Sequence, residues 1–132
     1  MLKETGTGIY IAYPRSETLQ VANASPVALV NCRHTKVGFA TDSFLASAKN
    51  CRKDFGYRLK FIPLLDVSPR DIPGLQKNIL ALLGRRFNRV GAAANWFDTQ
   101  DRQAIITLIY SLLSTAANDP DENDEELRGQ FT

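Results

Sequence analysis

Apolar side chains alternate with other types over residues 8–13, around Ile9 and Ile11, and this two-residue period predicts a strand. Residues 14–26 hold Pro14, Asn23, Ser25 and Pro26, which predict a loop with a short strand at 19–21. Residues 27–32 are rich in β-formers. Residues 36–40 either continue that strand or pair back through Arg33-His34-Thr35. The period then changes. Phe44, Leu45, Ala48, Cys51 and Phe55 recur at helical spacing behind Asp42, a good N-cap, and Gly56 supplies a stop. Leu59, Phe61, Ile62, Leu64, Leu65 and Val67 suit a largely buried strand over residues 58–67. Ser68-Pro69 and Ile72-Pro73 mark a turn and a helix start. Leu75, Ile79, Leu82 or Leu83, and Phe87 form that helix's apolar stripe. After Gly91 and three alanines, Asp98 or Thr99 caps a last helix with Ile105, Leu108, Ile109, Leu112 and Ala116 on one face. Ile106 and Leu113 widen this face, which reads as deep burial or as a homodimer or protein contact. The order β-β-α-β-α-α predicts an α+β domain over residues 1–117.

Composition is that of an ordinary globular chain. The chain has 132 residues, 44% hydrophobic and 23% charged, as expected of one globular domain. Residues 104–117 are the longest apolar stretch, but Thr107, Tyr110, Ser111 and Ser114 interrupt it, so no membrane span is predicted. The first residues lead into the strand without an apolar signal region, and a cytoplasmic location is expected. Cys32 and Cys51 are too far apart in sequence for a metal motif and read as free thiols. A single histidine, His34, cannot build a His-rich zinc site.

The distribution of charge is more informative. The net charge of +2 hides an asymmetry. Residues 118–132 carry six acids and one base, a net of −5, which leaves +7 on residues 1–117 from fifteen bases and eight acids. The tail is too acidic and too poor in apolar groups to fold alone, so disorder is expected there. A basic body suggests a polyanionic partner, DNA first among them. Arg85, Arg86 and Arg89 cluster near the end of the second long helix. There they either complement the helix dipole or contact phosphates together with Lys36, Lys49, Arg52 and Lys53.

Gly8-Ile9-Tyr10, then Lys36-Val37-Gly38, a helix from about Asp42, and finally Asn95-Trp96-Phe97 follow one another in this order. Together they resemble the GIY-YIG nuclease family, in particular a branch with a Lys-Ile-Gly second motif and a terminal Glu-Trp-Phe. The resemblance covers roughly residues 7–113. It implies a small mixed sheet of about three strands flanked by three helices, and metal-dependent phosphodiester cleavage. It gives Tyr10 the role of activating or orienting water near the cleaved phosphate. It makes Gly38 the residue that lets the chain turn into the first helix, and Lys36 a phosphate-holding point charge. Trp96 and Phe97 read as core aromatics anchoring the last loop.

Two departures bear on catalysis. Where the family places an arginine on the first helix stand Ala46 and Ser47, with Lys49 and Arg52 one and two turns further on. Where it places the glutamate that holds magnesium or manganese stands Leu80, and residues 72–90 contain no acid; Asp42 and Asp71 are the available surrogates. Asn95 replaces the glutamate before Trp-Phe. The expected catalytic set is thus Tyr10, Lys36, Gly38, Lys49 and Arg52, with no metal ligand and no cofactor unless the protein is active. The reading leans to a catalytically impaired, nucleic-acid-binding or regulatory domain. An active magnesium- or manganese-dependent endonuclease and a protein-interaction module of phage or plasmid type are its rivals.

Overall fold

The structure, a computed structural model, describes residues 3–15, 19–21, 28–55, 58–90 and 95–117. The chain falls into two compact units, Met1–Arg102 and Gln103–Thr132. The expected tail over residues 118–132 lies outside the described residues.

The first unit is built on a four-stranded sheet of β1 (Gly8–Pro14), β4 (Thr35–Ala40), β5 (Leu59–Asp66) and β6 (Trp96–Phe97), in the order β5-β1-β4-β6. The α+β class holds. Every pairing in this sheet is antiparallel, where a mixed sheet was expected, and β6 adds a fourth strand. Two residues are too short a run to show a strand period, which is why sequence pattern misses β6. A separate ribbon pairs β2 (Leu19–Val21) with β3 (Ala28–Val30). β3 does not run on into β4. The Asn31 side chain accepts the Arg33 N–H at 2.9 Å, the His34 N–H reaches the Asn31 carbonyl at 2.9 Å, and the chain turns.

β1 is the central strand. Gly8 through Ala12 are all buried, because successive side chains go to opposite faces and both faces are covered. Tyr10 and Ala12 point to the side of α1 (Phe44–Phe55), clustering with Ala40 and Phe44 and with Cys51, Leu59 and Trp96 respectively. Gly8 is required by close approach: a Cβ there would lie 1.8 Å from the Leu65 carbonyl oxygen. The β1–β5 register shifts between Ile9 and Tyr10, next to that contact.

α1 starts one residue later than its sequence cue. Ser43, not Asp42, caps it, accepting the Ala46 N–H at 2.9 Å. Asp42 is thereby left exposed. A 3-10 turn over Pro69–Asp71 leads into α2 (Ile72–Arg86), which buries Ile72, Ile79 and Leu83. The third helix, α3 (Arg102–Ala117), buries Ile105 and Ile109; Ile106, Leu108, Leu112 and Leu113 are half-buried and Tyr110 is exposed. Among the described residues no helix is long and apolar enough to cross a membrane.

Candidate functional site

The site is set by strand register. Tyr10 on β1 faces Gly38 on β4, and Ala12 faces Lys36. Positions 36 and 38 are two apart, so both look to the α1 side of the sheet. With no side chain at 38, the Tyr10 ring lies flat across the strand. A Cβ at that position would fall 2.0 Å from ring atoms. This corrects the role expected of Gly38. It is a mid-strand residue with ordinary backbone angles, and its task is to make room for an aromatic ring rather than to turn the chain.

The ring is fixed from its other edge by Phe61, whose centroid is 4.4 Å away in an edge-to-face arrangement. The Lys36 ammonium lies 5.6 Å from the Tyr10 centroid and 4.0 Å from the Cys51 sulfur. Cys51 comes from the apolar face of α1 and is buried; Cys32 is exposed. Around this core is a polar hollow lined also by Phe39, Thr41, Asp42, Ala46, Ser47 and Asn50. A hydroxyl (Ser47) stands where the resemblance implies an arginine.

Tyr10 is only 5% exposed. Burial pushes its phenol well above the usual range, and the charge of the Cys51 side chain and a hydrogen bond to it push in the same direction. The hydroxyl is therefore a proton donor at physiological pH, not a ready base. Nor does the hollow fit a hard divalent cation. Such ions want several oxygen donors with carboxylates among them, whereas here one carboxylate, Asp42, shares the lining with an ammonium. Among the described residues no group of three or more His, Cys, Asp or Glu is placed to hold a metal.

Of the residues the sequence nominates, Tyr10, Lys36 and Gly38 come together. Lys49 and Lys53 are exposed on α1 and do not line the hollow. Arg52 lines a different cleft, with Lys3, Glu4, Leu45 and Phe61. The catalytic placement expected of Lys49 and Arg52 is thus not what the helix provides, since both lie off the turn face that carries Ser47 and Cys51. Asp71 sits exposed on the turn before α2 and does not line the hollow. Asn95 offers its backbone: the Val37 N–H donates to its carbonyl at 3.0 Å, extending the β4–β6 ladder.

Arg85 and Arg86 are exposed in the last turn of α2. Arg89 is engaged nearer home. Its guanidinium donates to the Leu80 carbonyl at 3.1 Å and lies 5.7 Å from the Phe97 centroid. Position 84 has to be small for that, because a Cβ on Gly84 would meet the same guanidinium at 2.8 Å.

Cys51 belongs to the hollow although no motif marks it. The signal was present, since Cys51 shares the helical stripe of Phe44 and Ala48, and that stripe faces β1. No family model, no curated protein and no solved structure matches the chain.

Proposed function

We propose that the chain is a GIY-YIG-like nucleic-acid-binding domain that holds a DNA phosphate in the hollow beside Tyr10 and does not cut it. One observation carries the reading: Lys36 stands at the rim of the Tyr10–Gly38 pair, among side chains that donate hydrogen bonds. An ammonium, the Ser47 and Thr41 hydroxyls and the Asn50 amide suit a phosphate oxygen. Arg85 and Arg86 on α2, and Lys49 and Lys53 on α1, add exposed positive charge that neutralises further phosphates without reading sequence. A base and a bound metal are what cleavage requires, and the hollow's composition favours neither.

The experiment is a salt titration of affinity for a short DNA duplex by fluorescence anisotropy. Binding should weaken steeply with salt. Lys36→Gln should flatten the log–log slope by about 0.9, the signature of one lost phosphate contact. No binding at low salt, or an unchanged slope in the variant, contradicts the reading.

Asp42 favours a second reading. It lines the same hollow, so a divalent-metal-dependent endonuclease using that carboxylate is the rival.

A further inference from the structure

His34 closes the turn between β3 and β4. Its Nδ1 accepts the backbone N–H of Asn31 at 3.0 Å. An accepting nitrogen carries no proton, so the proton of the neutral ring is on Nε2. Nε2 lies 3.4 Å from Asp98 Oδ1, and the His34 side chain is 15% exposed against 58% for Asp98. Nδ1 thus holds the turn, and Nε2 faces the segment that follows β6.

The same two segments are joined elsewhere. The Thr35 hydroxyl, fully buried, donates to the Thr99 carbonyl at 2.9 Å. The Arg102 guanidinium donates to the Cys32 carbonyl at 2.6 Å and the His34 carbonyl at 3.4 Å, and stacks on the Tyr13 ring at 3.6 Å. Arg33 and Asp98 line the open hollow in front of the ring, with Asn31, Thr99 and Gln100. Among the described residues, the charged groups named around His34 are Asp98 on one side and Arg33 and Arg102 on the others.

We infer that His34 is a proton-operated latch on the β3–β4 turn: neutral, it holds Asn31 and lies beside Asp98; protonated, it releases Asn31 and pairs with Asp98. The reason is donor and acceptor arithmetic. Imidazolium carries a proton on both nitrogens. Its Nδ1–H would then point at the Asn31 N–H, donor against donor, and that contact must open. The Nε2 contact survives and becomes an ion pair, which Asp98 attracts and the two arginines oppose. The latch sits directly before β4, and Lys36 is two residues beyond it. Acidification thus frees the β3 side of the turn, while the contacts to residues 98–102 hold the β4 side. The latch itself does not depend on the function proposed for the hollow beside Tyr10.

Nitrogen-15 NMR on the full chain tests this. At about pH 8 the His34 ring should show an unprotonated Nδ1 and a protonated Nε2, and the Asn31 amide should be protected from exchange. As the ring takes up its second proton, the normalised protection of Asn31 should fall about tenfold, the loss of one backbone hydrogen bond, while amides in the centre of β1 stay unchanged. In His34→Gln the step at Asn31 should vanish. A protonated Nδ1 at the higher pH, constant Asn31 protection through the ring's titration, or a step that persists in His34→Gln each overturns the latch. The wild-type measurement decides by itself if the variant does not fold.

Discussion

The ring of Tyr10 occupies the space that any side chain at position 38 would need: its Cε2 and Cζ atoms lie 2.0 Å from where a Cβ on Gly38 would be. The pair is cross-strand, so the aromatic covers a strand glycine whose own side has nothing to pack. Gly38→Ala should therefore destabilise the fold by about 1–3 kcal/mol, the usual range for overpacking. Urea unfolding measures it. Made together with Tyr10→Ala, the same substitution should cost far less, since the clash partner is gone. Equal costs in the two backgrounds would show that the glycine answers to something other than the ring.

Alkaline unfolding follows from the same burial. A free tyrosine titrates near pH ~10. In the folded chain burial first, then the charge and hydrogen bond of Cys51, hold the Tyr10 proton to higher pH. Above about pH 10 the unfolded chain releases a proton that the folded chain keeps, so stability is intact below that pH and falls above it. Tyr10→Phe removes this contribution and should flatten the decline. Identical slopes for wild type and variant would mean that Tyr10 takes no part in it.

Arg89 is held within the fold, whereas Arg85 and Arg86 are the arginines proposed to contact phosphate. Its guanidinium is engaged with the Leu80 carbonyl and Phe97. Being exposed, those contacts are worth about 1 kcal/mol or less. Arg89→Ala should lower the urea midpoint slightly and leave the salt slope of DNA binding near its wild-type value. Arg85→Gln with Arg86→Gln should do the reverse, flattening the slope by up to about 1.8. A large change in slope from Arg89 alone would reverse these assignments.

The charge asymmetry gives a further expectation. Residues 118–132 carry a net of −5 and the rest of the chain +7. Deleting the acidic segment should tighten DNA binding at low salt, with the effect fading as the Debye length shrinks toward ~10 Å at 0.1 M. Unchanged affinity at low salt would show that the segment does not compete for the basic surface.

Much of the fold is legible because its long elements carry clean periods. The stripe Phe44, Ala48, Cys51 places α1, and the buried run from Gly8 to Ala12 marks a central strand. What escapes is decided by partners distant in sequence. β6 is two residues long and exists because Thr35 and Lys36 pair with it. The α1 cap moves from Asp42 to Ser43 because the serine hydroxyl reaches the Ala46 N–H. At the site, Tyr10, Lys36 and Gly38 were nominated as a motif and do meet. Their geometric reason, a ring laid over a glycine, depends on strand register, which one sequence does not specify. Arg102, lying over Tyr13 and bound to the turn carbonyls, bridges positions 70 residues apart from Cys32 and has no local signal at all.

Manganese-dependent plasmid nicking decides whether the hollow cuts DNA, with wild type, Tyr10→Phe and Asp42→Asn side by side. A domain that holds phosphate without cutting it should leave the plasmid supercoiled in all three, under conditions where wild type binds it. Nicking by wild type that disappears in either variant would contradict the account and make the hollow a catalytic centre.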